Sequence, residues 1–121
     1  MLLSAYLNPN QDTAAFAKVI SSKYDIEHIL PKQWCNYDGW TNELWEEKLN
    51  SFGNLIPLSK RENCSAQHSF FTTKKKVYQK SKIQDALDIA AKEEEWTPKE
   101  VAKYQEIKVK RLLDWFGTLG K

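Results

Sequence analysis

Apolar and polar positions along the chain recur with two different periods, and the changes of period predict the elements. In residues 10–22 Phe16, Val19 and Ile20 lie on one side of an expected helix; residues 1–10 read as an irregular lead-in. In residues 24–30 the period drops to two, with Tyr24, Ile26, His28 and Leu30 on one face of a strand. Pro31 ends it, because proline cannot donate to a ladder. Residues 32–41 are rich in turn formers. A short acidic helix follows over 42–49, with Glu43, Glu46 and Glu47 toward water and Leu44, Trp45 and Leu49 able to pack. The turn Ser51-Phe52-Gly53-Asn54 leads into a second strand, 55–58, which Pro57 keeps short or at an edge.

The rest is helical in pattern. Ser59-Lys60-Arg61-Glu62 is a capping box, so a helix is expected to start there with Asn63 in its first turn. Residues 72–94 read as one or two helices with Val77, Tyr78, Ile83, Leu87 and Ala90 inward. Thr97-Pro98-Lys99-Glu100 is a second capping box. It opens a helix to about Phe116, with Val101, Tyr104, Ile107, Leu112 and Trp115 as its buried stripe and Gly117 as its cap. The expected class is α+β: a two-stranded antiparallel hairpin among several helices, predominantly helical.

A chain of 121 residues suits one domain with one core. Residues 24–80 hold its motifs, with helical parts at 10–22 and 81–117. The five tryptophans, Trp34, Trp40, Trp45, Trp96 and Trp115, are expected in the core, Trp34 and Trp40 least firmly. Cys35 and Cys64 are far apart in sequence and read as two reduced thiols. No apolar run is long enough to span a bilayer, and the N-terminal one is too short for a signal peptide. The cytoplasm is the expected location, with no membrane partner.

Charge changes the picture more than composition does. Residues 1–58 carry four Lys and seven Asp or Glu, whereas residues 59–121 carry fourteen Lys or Arg and nine Asp or Glu. Lys60, Arg61, Lys74, Lys75, Lys76, Lys80 and Lys82 stand against one acid, Glu62, between 59 and 82. Such an excess attracts polyanions. By itself such a run reads first as a solvated lysine face; its nearness to the candidate metal-site residues turns the reading toward phosphate contact.

Candidate chemistry lies beside that segment. Hydrolysis of a phosphodiester needs a base for the water and a cation for the developing charge. Histidine suits the first near neutral pH. A hard metal such as Mg²⁺ suits the second and binds through few oxygen ligands. His28, Glu27 and Asn63 supply these groups. Asp25 is an alternative ligand to Glu27, and His68 reads as a surface residue. In an ideal strand Glu27 and His28 point to opposite faces, so convergence requires the strand to end or twist there.

Glu27-His28-Ile29-Leu30-Pro31, Gly53-Asn54-Leu55, Asn63, and then Lys74 and Tyr78 resemble the HNH, or His-Me finger, endonucleases. The chain is most similar to the C-terminal HNH domains of GmrSD-like, modification-dependent (type IV) restriction enzymes. The resemblance implies a ββα-metal core over about residues 24–80 and cleavage of DNA with one Mg²⁺ or Mn²⁺ ion. It implies that His28 deprotonates the attacking water, Glu27 and Asn63 bind the metal, and Asn54 braces the loop between the strands without touching metal. Lys60, Arg61, Lys74, Lys75 and Lys76 would contact nucleic-acid phosphates. It also implies a role in phage restriction, under an N-terminal NTPase domain or a separate regulatory subunit, as a monomer or weak dimer. A DNA-binding domain that no longer cleaves, an RNA-cleaving toxin and a helical interaction module are the competing readings.

Overall fold

In a computed structural model the described residues are 2–59 and 70–119. They form six α-helices, α1 Leu2–Tyr6, α2 Thr13–Ser21, α3 Asn42–Lys48, α4 Phe70–Tyr78, α5 Gln84–Lys92 and α6 Pro98–Leu119, with strands β1 Asp25–His28 and β2 Leu55–Leu58. A 3-10 turn, Phe52–Asn54, runs straight into β2. The class is α+β, as the pattern predicts. The strands pair antiparallel, with Glu27 opposite Ile56 and His28 opposite Leu55. The long connection between them carries α3 and the 3-10 turn, and α4 is the next described element after β2.

Local chemistry sets the helix starts. The Asp12 carboxylate accepts from Ala15 N–H, and Thr41 Oγ1 accepts from Leu44 N–H. At α6 the Glu100 carboxylate reaches back to accept from Thr97 N–H at 2.7 Å, the return half of a capping box. The capping box at 59–62 lies largely outside the described residues. Ile29, Leu30, Ile56, Tyr78, Ile83 and Ile89 are fully buried and form the centre of the core.

Three local expectations need correction. Residues 2–6 are helical, not irregular. So short a helix has no stability of its own; it holds because Ser4 and Ala5 bury against α6, where Arg111 donates to Ser4 O. At the other end, α6 runs through Gly117 to Leu119, and Leu112 and Trp115 are only half-buried. A Cβ at Gly117 would meet nothing within 4 Å outside its own helix backbone and chain neighbours, so no close approach requires a glycine there. In β1 it is Glu27, not its apolar neighbours Tyr24 and Ile26, that is buried.

The other indoles are tied into the core. Trp40 Nε1 donates to Trp96 O and Trp45 Nε1 to Pro31 O, while Trp34 packs partly buried against Tyr37 and Trp45. Cys35 is a free thiol, and Cys64 lies outside the described residues. Among the described residues no helix is long and apolar enough to cross a membrane.

Gly53 fixes how the hairpin meets α6. Its N–H donates to Gln105 Oε1 at 2.7 Å, and a Cβ there would lie 2.0 Å from Val101 O. The obstacle is helix backbone, which cannot rotate away. Gly53→Ala is therefore expected to cost at least about 2 kcal/mol, as overpacking does. Denaturant unfolding of the two proteins measures it.

Candidate active site around His28

The site is built where β1 ends. Glu27 turns inward to α4, and its Oε2 accepts from Lys74 Nζ and from the Tyr78 hydroxyl, each at 2.9 Å. Lys74 Nζ also donates to the backbone oxygen of His28 at 2.6 Å. One ammonium thus grips two consecutive residues of the strand end. Both Glu27 and Lys74 are buried, so the pair has little water to screen it.

His28 points the other way, as alternation requires. Its Nε2 lies 2.9 Å from Asn50 Oδ1, just beyond α3. An amide oxygen only accepts, so Nε2 carries the proton in this arrangement. Nδ1 then keeps its lone pair. That atom is buried and has no hydrogen-bond partner among the described residues. A buried acceptor left unsatisfied is unusual and calls for a water or ligand atom.

Asn54 organises the surroundings. It is fully buried. Its Oδ1 accepts from Leu30 N–H at 2.8 Å and Trp96 Nε1 at 3.0 Å, and its Nδ2 donates to Leu49 O at 2.8 Å and Leu30 O at 3.3 Å. Its backbone oxygen accepts from Ile29 N–H at 2.9 Å. One residue therefore holds the chain just after His28 and the chain just before Asn50.

Lys108, on α6, supports the same turn from behind. Its Nζ donates to Phe52 O at 3.1 Å and to Leu55 O at 2.5 Å, spanning the 3-10 turn. Burial pulls its ammonium down to about 8 from the ordinary lysine value near 10.5; Asp85 opposes this and Arg111 adds to it. Between those values the unfolded chain binds more protons than the folded one, so this residue makes stability rise with pH. Wild type is expected to gain about 2 kcal/mol on Lys108→Met between about pH 8 and pH 10. Paired denaturation curves across that range check it.

The structure brings together some of the residues singled out from sequence and separates others. Glu27 and Lys74 pair on one face at the end of β1, and Asn54 braces the chain next to His28, whose ring points to the other face. Lys74 is a correction: it is buried against Glu27 and not on an open phosphate-binding face. Lys75 is half-buried beside the Phe71 ring and Lys76 is exposed. Asp25, the alternative ligand, is exposed at the far end of β1. Asn63, Lys60, Arg61 and His68 lie outside the described residues. Asn50 and Lys108 were missed. An asparagine after a helix reads as a turn former, and a lone lysine reads as solvated; neither carries a signal of its own.

A buried histidine edge, a buried carboxylate on a strand end and a fully bonded asparagine in the turn opposite define an α+β domain built around a chemical site. The chain belongs to the family of GmrSD restriction endonuclease C-terminal domains, whose model matches residues 1–109. No curated protein and no solved structure matches it.

Proposed function

We propose that this chain is the nuclease domain of a restriction or anti-phage defence system and that it hydrolyses DNA phosphodiester bonds by an HNH-type reaction. The observation that carries the reading is the His28 ring, with Nε2 held by Asn50 and Nδ1 unpartnered among the described residues. A neutral imidazole with one free lone pair is the state a general base requires. Nδ1 takes a proton from water as the water attacks phosphorus; the P–O3′ bond breaks, the departing 3′ oxygen takes a proton from solvent, and the ring is left as imidazolium beside 5′-phosphate and 3′-hydroxyl ends. Asn50 Oδ1 then faces a positive ring and holds it.

One divalent metal belongs to the proposal, on the Glu27 side of the strand end and held through few contacts. Oε2 of Glu27 accepts from Lys74 and Tyr78, and Oε1 is the oxygen proposed for the cation. No group of three or more His, Cys, Asp or Glu that could hold a metal occurs among the described residues. The ligands proposed are Glu27 Oε1 and the Asn63 amide oxygen. Mg²⁺ or Mn²⁺, when bound, supplies positive charge for the phosphate oxygens in the transition state. Lys60, Arg61, Lys75 and Lys76 are the proposed phosphate contacts, and control by an NTPase domain or regulatory subunit belongs to the same proposal.

The commitment of Glu27 to Lys74 favours the second reading, a DNA-binding domain without cleavage. Plasmid DNA, plain and base-modified, and a structured RNA are incubated with the protein across a Mg²⁺ and Mn²⁺ series. Metal-dependent nicking of the plasmid is expected. Salt-sensitive DNA binding without nicking establishes the second reading instead, and cleavage confined to RNA overturns the DNA assignment.

A further inference from the structure

Beyond the groups that carry the chemistry, the site contains a residue that decides where the histidine keeps its proton. We infer that Asn50 is a positioning residue for His28, fixing the ring as the Nε2–H tautomer so that Nδ1 is the basic nitrogen. Its use in cleavage rests on the nuclease reading above; its hold on the ring does not.

Three observations converge on it. The Nε2–Oδ1 separation is 2.9 Å, an ordinary hydrogen bond. The opposite nitrogen, Nδ1, is buried without a partner among the described residues, so no competing bond there selects the other tautomer. Finally, Asn50 is aimed by its surroundings. Leu49 O, one residue before it, accepts from Asn54 Nδ2, and Ser51 N–H, one residue after it, donates to Lys48 O at 3.0 Å. The side chain itself is exposed, so its only hydrogen bond among the described residues is to His28. An exposed asparagine with one directed bond to a half-buried imidazole has little packing role. An isolated imidazole exchanges between two neutral forms, and only one presents a lone pair at Nδ1. A group that acts through the outer edge of a functional histidine commonly changes activity by roughly 10- to 100-fold when removed.

The test combines a spectroscopic and a kinetic measurement. Nitrogen-15 shifts of the imidazoles are recorded for wild type, Asn50→Ala and Asn50→Asp, with His28→Ala and His68→Ala used for assignment. Wild type is expected to show His28 protonated on Nε2, and Asn50→Ala a mixture of both tautomers. Plasmid nicking in Mn²⁺ is followed against pH for the same proteins. Asn50→Ala is expected to lower kcat roughly 10- to 100-fold with DNA binding unchanged. Asn50→Asp keeps an oxygen acceptor beside Nε2, so it should retain the proton on Nε2 and nick faster than Asn50→Ala. Because position 50 is exposed, both variants should melt with wild type. A wild-type ring protonated on Nδ1, or a tautomer ratio that Asn50→Ala leaves unchanged, overturns the inference. So does an Asn50→Asp ring that loses the proton from Nε2. A wild type that shows the Nε2–H tautomer but nicks no DNA overturns the nuclease reading while supporting the role of Asn50.

Discussion

His28→Ala is expected to remove metal-dependent nicking while leaving the protein folded. The imidazole is half-buried at the end of β1 and, among the described residues, makes one side-chain hydrogen bond, to exposed Asn50, so its loss removes little packing. Its loss does remove the lone pair at Nδ1 that the proposed reaction uses. General-base catalysis is typically worth about 10²- to 10⁴-fold, and the nicking rate should fall by at least that lower bound. DNA binding, measured in Ca²⁺ at fixed salt, should change little, because the ring is not among the proposed phosphate contacts. If His28→Ala nicks at the wild-type rate, the base is another residue and the reading of this strand end is wrong.

The second large effect falls on stability. Lys74→Met leaves the Glu27 carboxylate buried with, among the described residues, the Tyr78 hydroxyl alone on it, and the backbone oxygen of His28 loses a donor. Breaking a buried ion pair from one side commonly costs roughly 3–5 kcal/mol. Lys74→Met should therefore lower Tm sharply, by calorimetry or circular dichroism. Adding Glu27→Gln removes the stranded charge and should recover most of the loss, since a neutral pair of similar size can replace a buried ion pair. The double variant should remain inactive in nicking. Recovery of stability without cleavage separates the structural use of Glu27 from its proposed use toward metal. Recovery of both would show that the carboxylate takes no part in the reaction.

Much of the scaffold was legible in the sequence because short-range rules governed it. Both strands, the acidic helix α3 and the start of α6 follow from alternation, turn residues and a capping box spanning four positions. The motif residues Glu27-His28 and Gly53-Asn54 could be singled out because their order resembles a family, and the family match covers residues 1–109. Less legible was what each does in the fold. Alternation put Glu27 and His28 on opposite faces, and the structure keeps them so. Glu27 nonetheless becomes the buried member of its strand, because Lys74 and Tyr78 arrive from α4 to satisfy it. Lys74 changes from a presumed surface cation to the residue that joins helix to strand.

What the sequence determined by itself is local: which segments form helix or strand, where two helices begin, and which residue types with nucleolytic chemistry stand in order. Proline, glycine and capping residues act within a few positions of themselves, so their message needs no partner. Only the tertiary structure decided that a lysine 47 positions away neutralises Glu27 and that Asn54 ties Leu30 to Leu49. It alone set Lys108 under the turn and Asn50 against His28. Those contacts join residues far apart in the chain, and their polar groups acquire direction and strength only when burial removes the competing water.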